Sequence, residues 1–401
     1  MLLKAHKIEC ENAGFEAAYS PSFYYAILEG GNFELNDILL KINKRRKLES
    51  QERDLWSDYV HEYIHFLQDL RCGYVRKQSL DCAECLCGVK PAEITKLHDQ
   101  VDFDGHMIVE NISPQDNGEC IVSIQGGGDF ILNDIALIEG IAVIIQDVVR
   151  GEHRAYDSWP YDLTKRIVEF KVKEALLRED VERITIQASE AALMFKDPVM
   201  AFLDVLSNIG NDQVVNYAKM VDIIESNGHP KEEVAVDDIF LRKMRAVYKR
   251  NVFDGMLEWL QERVNAVASF ADKGYGLFGK VYINNNTVNR VGSICDDIYR
   301  INHPLLASKE HLYVGDGVNE RCVRSQIALE TAFNIKFSTT SKNLCLMHRY
   351  CSVARDPKVN PGFASAPVVS EACERDPRMV HQPEGNDCDF SLVWRAISGI
   401  K

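Results

Sequence analysis

The sequence predicts an α+β fold in which helices outnumber short strands, and two patterns support this. Apolar residues recur at spacings of three and four over much of residues 50–270, which is typical of helices that bury one face. Short segments rich in β-branched and aromatic residues, bounded by glycine, proline and asparagine, lie before residue 30 and between residues 107 and 125. A chain of 401 residues can bury a large core and is expected to form two or more regions.

The first region is expected to begin with strands and to continue into helices. Residues 15–29 contain several aromatic and apolar side chains and predict one or two strands. Residues 36–43 predict a short amphipathic helix. A longer helix is predicted over residues 50–71, with Ser50 as its N-terminal cap and Gly73 as its stop.

A β-hairpin and an apolar helix are predicted next. Residues 107–111 and 119–125 alternate in the manner of paired strands around a turn at 113–118, and the glycines at 126–128 are expected to end the second strand. The helix over residues 135–149 is almost wholly apolar, and Asn133 or Asp134 can cap it.

The remainder of the chain divides into a mainly helical part, residues 161–270, and an irregular part, residues 271–401. Asp197 and Pro198 are a good cap and first position for a helix that runs to residue 209. Leu257, Leu260, Val264 and Val267 form a stripe that we assign to core packing. We therefore expect three regions, 1–160, 161–270 and 271–401.

The overall charge and the apolar content exclude some classes of partner. The chain has 46 basic and 60 acidic residues and a net charge of −14, which argues against binding to bare nucleic acid or to an anionic membrane surface. The basic segment 41–47 is interpreted as a solvated turn. No N-terminal apolar segment and no run of 18 apolar residues is present, so we expect a cytoplasmic protein with no membrane partner.

The 12 cysteines are therefore expected to be reduced thiols or metal ligands. Cys82, Cys85 and Cys87 supply three local thiols where a structural zinc site needs four ligands, so ordinary thiols in a helix or turn are the other interpretation. Downstream, a second set of cysteines and histidines offers a structural zinc module, although its spacings match no zinc finger; its members are Cys345, His348, Cys351, Cys373, His381 and Cys388.

The segment His61-Glu62-Tyr63-Ile64-His65 carries the clearest chemistry, because two imidazoles four residues apart on a helix lie on one face and can share a metal ion. Glu62 then lies beside the metal without binding it. A polar stripe crosses this otherwise apolar helix, which indicates a buried helix facing a cleft; its members are Asp58, His61, His65, Gln68 and Cys72. Hydrogen-bonded core histidines are the alternative interpretation.

Glu139 is the candidate for a third ligand. A carboxylate in an apolar helix is unfavourable unless it is paired or bound to a metal. We expect Gly140 and Ala142 to let this helix approach the helix of residues 50–71 closely. A salt bridge between Glu139 and an arginine is the competing interpretation.

These two helices resemble the gluzincin branch of zinc metallopeptidases, in which a glutamate on a second helix completes the zinc sphere. The resemblance rests on His61-Glu62-Tyr63-Ile64-His65 and Glu139-Gly140-Ile141-Ala142, and it covers the first 150 residues or so. It implies a zincin-like N-terminal domain with a small sheet, Zn²⁺ bound by His61, His65 and Glu139, and Glu62 as the general base for a zinc-bound water.

One position departs from the family pattern. Many gluzincins place an aspartate four residues after the ligand glutamate to orient a histidine, and Val143 stands there in this chain. The residue that orients the histidines is therefore expected elsewhere, with Asp58, Asp69 and Asp134 as candidates.

The resemblance implies a cytosolic endopeptidase that acts on one or few protein targets. Its partners would be a protein or peptide substrate and a possible regulatory protein, and a regulated role or a defence or toxin-type role would fit. The strand of residues 119–125 is considered as an edge strand on which an extended substrate pairs. Two other hypotheses stay open: an inactive zincin-like scaffold that binds a protein partner, and a regulator whose C-terminal zinc module is built on Cys345, His348 and Cys351.

Overall fold

The computed structural model is a mixture of helices and small sheets, as the predicted α+β class requires. It describes residues 8–10, 15–20, 25–29, 35–44, 46–91, 100–115, 119–152, 154–172, 176–209, 216–282, 305–308, 312–313, 320–337 and 388–398.

Ten strands form three separate sheets within these described ranges. The largest sheet has the order β1-β2-β3-β9-β10, in which β3 and β9 run parallel and the other pairs antiparallel. A second sheet is the antiparallel meander β5-β6-β7, and β4 pairs with β8 in the third. The strands are β1 (Ile8–Cys10), β2 (Phe15–Ser20), β3 (Tyr25–Glu29), β4 (Val101–Asp102), β5 (Val109–Pro114), β6 (Cys120–Ile124), β7 (Gly128–Leu132), β8 (Ser158–Trp159), β9 (Leu305–Ser308) and β10 (Leu312–Tyr313).

The helices supply most of the described structure. Their buried side chains belong to one hydrophobic cluster that extends from Ile38 to Ile397. The helices are α1 (Leu35–Asn43), α2 (Ser50–Arg71), α3 (Gly73–Leu86), α4 (Asp134–Arg150), α5 (Leu163–Lys171), α6 (Arg178–Ala192), α7 (Pro198–Asn208), α8 (Tyr217–Ser226), α9 (Asp237–Val247), α10 (Asp254–Phe270), α11 (Glu320–Phe337) and α12 (Asp389–Ser398).

The predicted hairpin is confirmed, but its surroundings differ from the prediction. β5 and β6 pair antiparallel as expected, and β6 then pairs with β7, a strand that was not predicted. The glycines interpreted as the end of a strand form the turn between β6 and β7, where Gly126 and Gly128 have φ angles of 71° and 88°. β6 is consequently the central strand of its sheet, and the prediction that residues 119–125 form an edge strand is wrong.

Helix α2 has the predicted bounds, but both predicted end signals are wrong. The N-cap is Glu49, whose amide donates to Glu52 Oε2 at 3.0 Å, so Ser50 is already inside the helix. Gly73 begins α3 instead of ending α2, because the break lies at Cys72, which has extended backbone angles. A side chain at Gly73 would place its Cβ 2.7 Å from the Cβ of Ala235, so this glycine permits close packing.

Helix α4 packs against α2 and begins as predicted. The side chain of Asn133 accepts a hydrogen bond from the Ala136 amide at 3.1 Å, and Gly151 ends the helix with a φ of 73°. The expectation that Gly140 brings α4 close to α2 is wrong, because Gly140 faces α5. A Cβ at Gly140 would lie 2.3 Å from Thr164 Oγ1 and 3.5 Å from Thr164 Cβ.

This close approach gives a testable pair of substitutions. Gly140→Ala is expected to destabilise the protein by about 1–3 kcal/mol, since the new methyl group overlaps the Thr164 hydroxyl. In a Thr164→Ala background the same change is expected to stabilise it by up to about 1 kcal/mol, because alanine favours helix over glycine. Urea unfolding of wild type, the two single variants and the double variant measures the coupling between positions 140 and 164. Equal effects of Gly140→Ala in both backgrounds would contradict this coupling.

The helical region over residues 161–270 is confirmed. Asp197 accepts a hydrogen bond from the Met200 amide at 3.1 Å and caps α7, in which Pro198 is the first residue. The predicted stripe on α10 lies in the core, with Leu257, Leu260, Val264 and Val267 all buried. The division into regions at residues 160 and 270 stays a prediction.

The cysteines that the structure describes take no part in a metal cluster of three or more ligands. Cys82 and Cys85 are buried in α3, and Cys87 follows its last residue, as the interpretation of ordinary thiols expects. Of the predicted C-terminal zinc module only Cys388 falls within the described ranges; Cys345, His348, Cys351, Cys373 and His381 lie outside them. Among the described helices, none has the length and apolar character needed to cross a membrane.

Candidate metal centre

Helices α2 and α4 bring together the three side chains predicted as ligands. His61 and His65, one turn apart on α2, direct their Nε2 atoms toward each other at 3.1 Å. Glu139 Oε2 on α4 lies 3.2 Å from His61 Nε2 and 3.3 Å from His65 Nε2. The ligand atoms all lie within 4.8 Å of one another, and within the described part of the chain this is the one such group of three or more histidine, cysteine and acidic residues.

The centre lies in the interior of the protein. His61 and His65 are each 3% exposed, and Glu139 is 2% exposed. The apolar flanks of both helices account for this position, since Val60, Ile64, Ile138 and Ile141 are buried around the polar side chains. Glu139 lies at ion-pair distance from both histidines, as a third ligand of a shared metal ion would.

Each imidazole is hydrogen-bonded through its Nδ1 atom to one glutamine. Gln146 Oε1 lies 3.1 Å from His61 Nδ1, and Gln68 Oε1 lies 2.9 Å from His65 Nδ1. Each glutamine donates its Nε2 hydrogens onward: Gln146 to Asp58 Oδ1 at 2.8 Å, and Gln68 to the carbonyl oxygen of Ile138 at 2.8 Å. A carboxylate and a carbonyl only accept hydrogen bonds, so the orientation of both amides is fixed.

The orientation of the amides determines the tautomer of the histidines. An amide oxygen faces each Nδ1, so each Nδ1 must carry the proton, and in the neutral imidazole the lone pair is then on Nε2. Two such lone pairs and one carboxylate oxygen converge over 3.1–3.3 Å. Three electron-pair donors at this separation repel one another unless a cation or a shared proton lies between them. Two imidazole nitrogens and one carboxylate oxygen are also a set of ligands that a divalent metal ion binds.

Burial and the Glu139 carboxylate act in opposite directions on the two histidines. Burial lowers the pKa of His61 and outweighs the contribution of Glu139. Burial also disfavours the charged form of His65, but Glu139 together with Glu62 and Gln68 outweighs it, and the pKa of His65 rises to about 9. The two histidines of the metal-free centre therefore differ in their affinity for a proton.

Glu62 is buried beside this centre and has no described hydrogen-bond partner. It is 1% exposed, and neither Oε1 nor Oε2 contacts a donor among the described residues. Burial raises the pKa of its carboxyl group to about 8, since the charged form loses its hydration. A buried carboxylate without hydrogen-bond donors is unfavourable for folding. The burial of Glu62 beside this centre therefore calls for a functional explanation.

This burial makes the stability of the metal-free protein depend on pH. The pKa of Glu62 is about 8 when folded and 4.5 for the ordinary group, so the unfolded chain releases its proton first and stability falls as pH rises between these values. Glu62→Gln removes that loss. We expect the free energy of unfolding of Glu62→Gln, relative to that of wild type, to increase by a few kcal/mol from pH 5 to pH 8.

Urea unfolding of chelator-treated protein at the two pH values measures this effect. The exposed substitution Glu110→Gln is the control and should give no such growth. A difference between Glu62→Gln and wild type that is independent of pH would contradict the assignment.

The three aspartates predicted to orient the histidines have different partners. Asp58 is linked to His61 through Gln146, from whose amide it accepts a hydrogen bond. It also lies 3.2 Å from Arg150 Nη2. Burial raises the pKa of Asp58 to about 6, and Arg150 opposes this shift. Asp69 pairs with the Ser79 hydroxyl, and Asp134 accepts from Gln78 at 2.8 Å.

Sequence analysis thus missed Gln146 as a member of the site. Gln68 was recognised in the polar stripe without a role, and Gln146 only as an interruption of an apolar segment. The available signal was helical spacing: Gln146 is seven residues, or two turns, after Glu139, and therefore lies on the same face of α4. Val143 lies between them on that face and is buried.

A half-buried tyrosine adjoins the centre from outside the two helices. The ring of Tyr161, which precedes α5, lies 6.4 Å from the His61 ring in an edge-on arrangement. Its backbone carbonyl lies close to Gly140, which follows the candidate ligand Glu139. The segment before α5 therefore packs over the junction of α2 and α4.

Comparisons of the chain with protein-family models, with curated proteins and with solved structures gave no match.

Proposed function

We propose that this protein is a zinc-dependent endopeptidase with a zincin-like catalytic centre. The observation that carries the proposal is the convergence of His61 Nε2, His65 Nε2 and Glu139 Oε2 next to a buried carboxyl group, that of Glu62, which has no hydrogen-bond donor among the described residues. A structural metal site has no use for an acid that does not bind the metal. A hydrolytic site needs such an acid as a general base.

Zinc suits this set of ligands better than calcium or magnesium does. Two imidazole nitrogens and one carboxylate oxygen are the ligands of catalytic zinc sites, which keep a fourth position open. Calcium and magnesium prefer sites made of oxygen ligands alone. The tautomer with the proton on Nδ1, which Gln146 and Gln68 favour, directs the Nε2 atoms of both histidines at the metal position.

The bound metal and Glu62 would have different roles in hydrolysis. When bound, zinc would supply a Lewis acid that polarises a peptide carbonyl and lowers the pKa of a coordinated water. Glu62 is placed to take the proton of the attacking water and to pass it to the amine that leaves. Burial favours this exchange, because a carboxylate held out of water accepts a proton more readily than an exposed one.

The burial of the centre supports restricted activity. His61, Glu62, His65 and Glu139 are each at most 3% exposed, so a peptide reaches them only after neighbouring groups have moved. Such a site would not degrade proteins indiscriminately. We therefore favour one or few protein targets in the cytoplasm, and a regulatory partner or the substrate itself as the agent that opens the site.

An inactive scaffold that binds a protein partner is the second candidate. The same burial favours it, and so does the apolar Val143 at the position where many gluzincins have an aspartate. Glu62 argues against it, because a buried carboxyl group with no hydrogen-bond partner in the described part of the chain is unfavourable for stability and brings no benefit to a scaffold.

A comparison of cellular N-termini separates the two candidates. Wild type and Glu62→Gln would be expressed at equal levels, and new protein N-termini would be identified by mass spectrometry. The endopeptidase produces a small set of new N-termini with wild type alone. The same set with both proteins, or none with either after the site has been loaded with zinc, would favour the scaffold.

A further inference from the structure

Each ligand histidine is held by an amide, where a carboxylate or a backbone carbonyl is the common partner. The two glutamines come from different helices: Gln68 lies on α2, three residues after His65, and Gln146 lies on α4, across from His61. Gln68 is fully buried, and both amides have a second partner that fixes their direction. Their placement is thus determined by two hydrogen bonds each.

We propose that Gln68 and Gln146 are positioning residues that set the metal affinity of this centre by fixing the tautomer and direction of His65 and His61. The inference rests on the proposed function and deepens it. Each glutamine acts through a histidine and touches neither the metal nor the substrate. Without the amide oxygen, an imidazole can rotate or move its proton to Nε2, and the lone pair is then lost to the metal.

The two glutamines differ in what else they hold. The second bond of Gln68 ends on the carbonyl of Ile138, the residue that precedes Glu139, so Gln68 positions one histidine and also fixes the backbone next to the third ligand. The second bond of Gln146 ends on Asp58, which Arg150 also contacts. The loss of Gln68 is therefore expected to weaken metal binding more than the loss of Gln146.

Gln146 also places a neutral amide, instead of a carboxylate, next to His61 Nδ1. The Asp58 carboxylate is separated from the imidazole by a neutral amide, whereas a carboxylate directly on Nδ1 makes the imidazole a stronger ligand. The double variant Asp58→Asn, Gln146→Glu exchanges the two groups. The new amide donates to the new carboxylate, and the latter accepts from His61 Nδ1, so both hydrogen bonds are retained.

The test is a zinc titration of full-length protein against a competing chelator, together with the visible absorption spectrum of the cobalt-loaded protein. Gln68→Met and Gln146→Met are expected to weaken zinc binding about 10–100-fold and to alter the cobalt spectrum. The double exchange of Asp58 and Gln146 is expected to bind zinc at least as tightly as wild type. The matched control is Gln78→Met, since Gln78 also bridges two helices by donating to Asp134, 2.8 Å away, and should change zinc affinity less than about twofold.

The outcomes separate this inference from the proposed function. Zinc binding by wild type with unchanged affinity in both methionine variants overturns the positioning role alone. Equal weakening by Gln78→Met also overturns it, because the effect would then reflect general stability. Loss of affinity in the double exchange equal to that in Gln146→Met shows that an acceptor on Nδ1 is not what matters. Absence of zinc affinity in wild type overturns the inference and the proposed function together.

Discussion

Glu62→Gln is expected to lower the rate of peptide hydrolysis by about 10²–10⁴-fold while one zinc ion stays bound. The glutamine retains the shape of the side chain but cannot accept the proton of the attacking water. The three ligand atoms, on His61, His65 and Glu139, are untouched by the change. The measurement is kcat/KM on a peptide that spans the cleavage site found from the new N-termini.

The control for this variant lies on the same helix. Asp69 is a buried acid of α2 that pairs with the Ser79 hydroxyl. Asp69→Asn should keep kcat/KM, per folded molecule, within about threefold of wild type. Hydrolysis by Glu62→Gln at a rate similar to that of Asp69→Asn would remove the proposed mechanism.

The largest expected effect on stability comes from Arg76, whose guanidinium is almost wholly buried. It joins the break between α2 and α3 to the segment before α9, because it donates to the carbonyls of Leu70, Val234 and Ala235. It also pairs with Asp237 at 2.8 Å and lies over the ring of Phe240.

Arg76→Met is therefore expected to destabilise the protein by about 3–5 kcal/mol, because several buried acceptors lose their donor. Urea unfolding at pH 7 measures the change in the free energy of unfolding. Lys243→Met is the matched control: its ion pair with Glu233 lies at the surface, with side-chain exposures of 39% and 67%, and its loss should leave the free energy of unfolding nearly unchanged. Similar effects of the two changes would contradict the structural role of Arg76.

The sequence carried enough information for the main helices and for the hairpin, for a physical reason. The α2 and α4 segments combine helical spacing with apolar flanks, and local pattern and burial then agree. The ends of elements were harder to predict. Gly73 looks like a helix stop, but its lack of a side chain serves the packing against Ala235, a contact between residues far apart in sequence.

Pairing between distant segments could not be predicted either. β9 joins the N-terminal sheet by pairing parallel with β3, nearly 300 residues earlier in the chain. β7 was missed because glycine-rich residues 126–128 were interpreted as an end, while they make the turn that leads into it. Both errors concern which strands meet, and local pattern does not contain this information.

The candidate ligands were predictable because their chemistry is strongly marked in the sequence. Two histidines four residues apart and an acid in an apolar helix are conspicuous, and the structure places all three together. The residues that hold the histidines are not conspicuous. Glutamines carry no charge, and Gln146 acquires its role only from the packing of α4 against α2.

The metal content of purified protein tests the central claim most directly. Mass spectrometry on wild type, Glu62→Gln, His61→Ala and Glu139→Ala, after equal exposure to zinc, should find one equivalent of zinc in the first two proteins and none in the last two. If His61→Ala and Glu139→Ala keep the zinc of wild type, or if folded wild type takes up none, then His61, His65 and Glu139 are not a zinc centre.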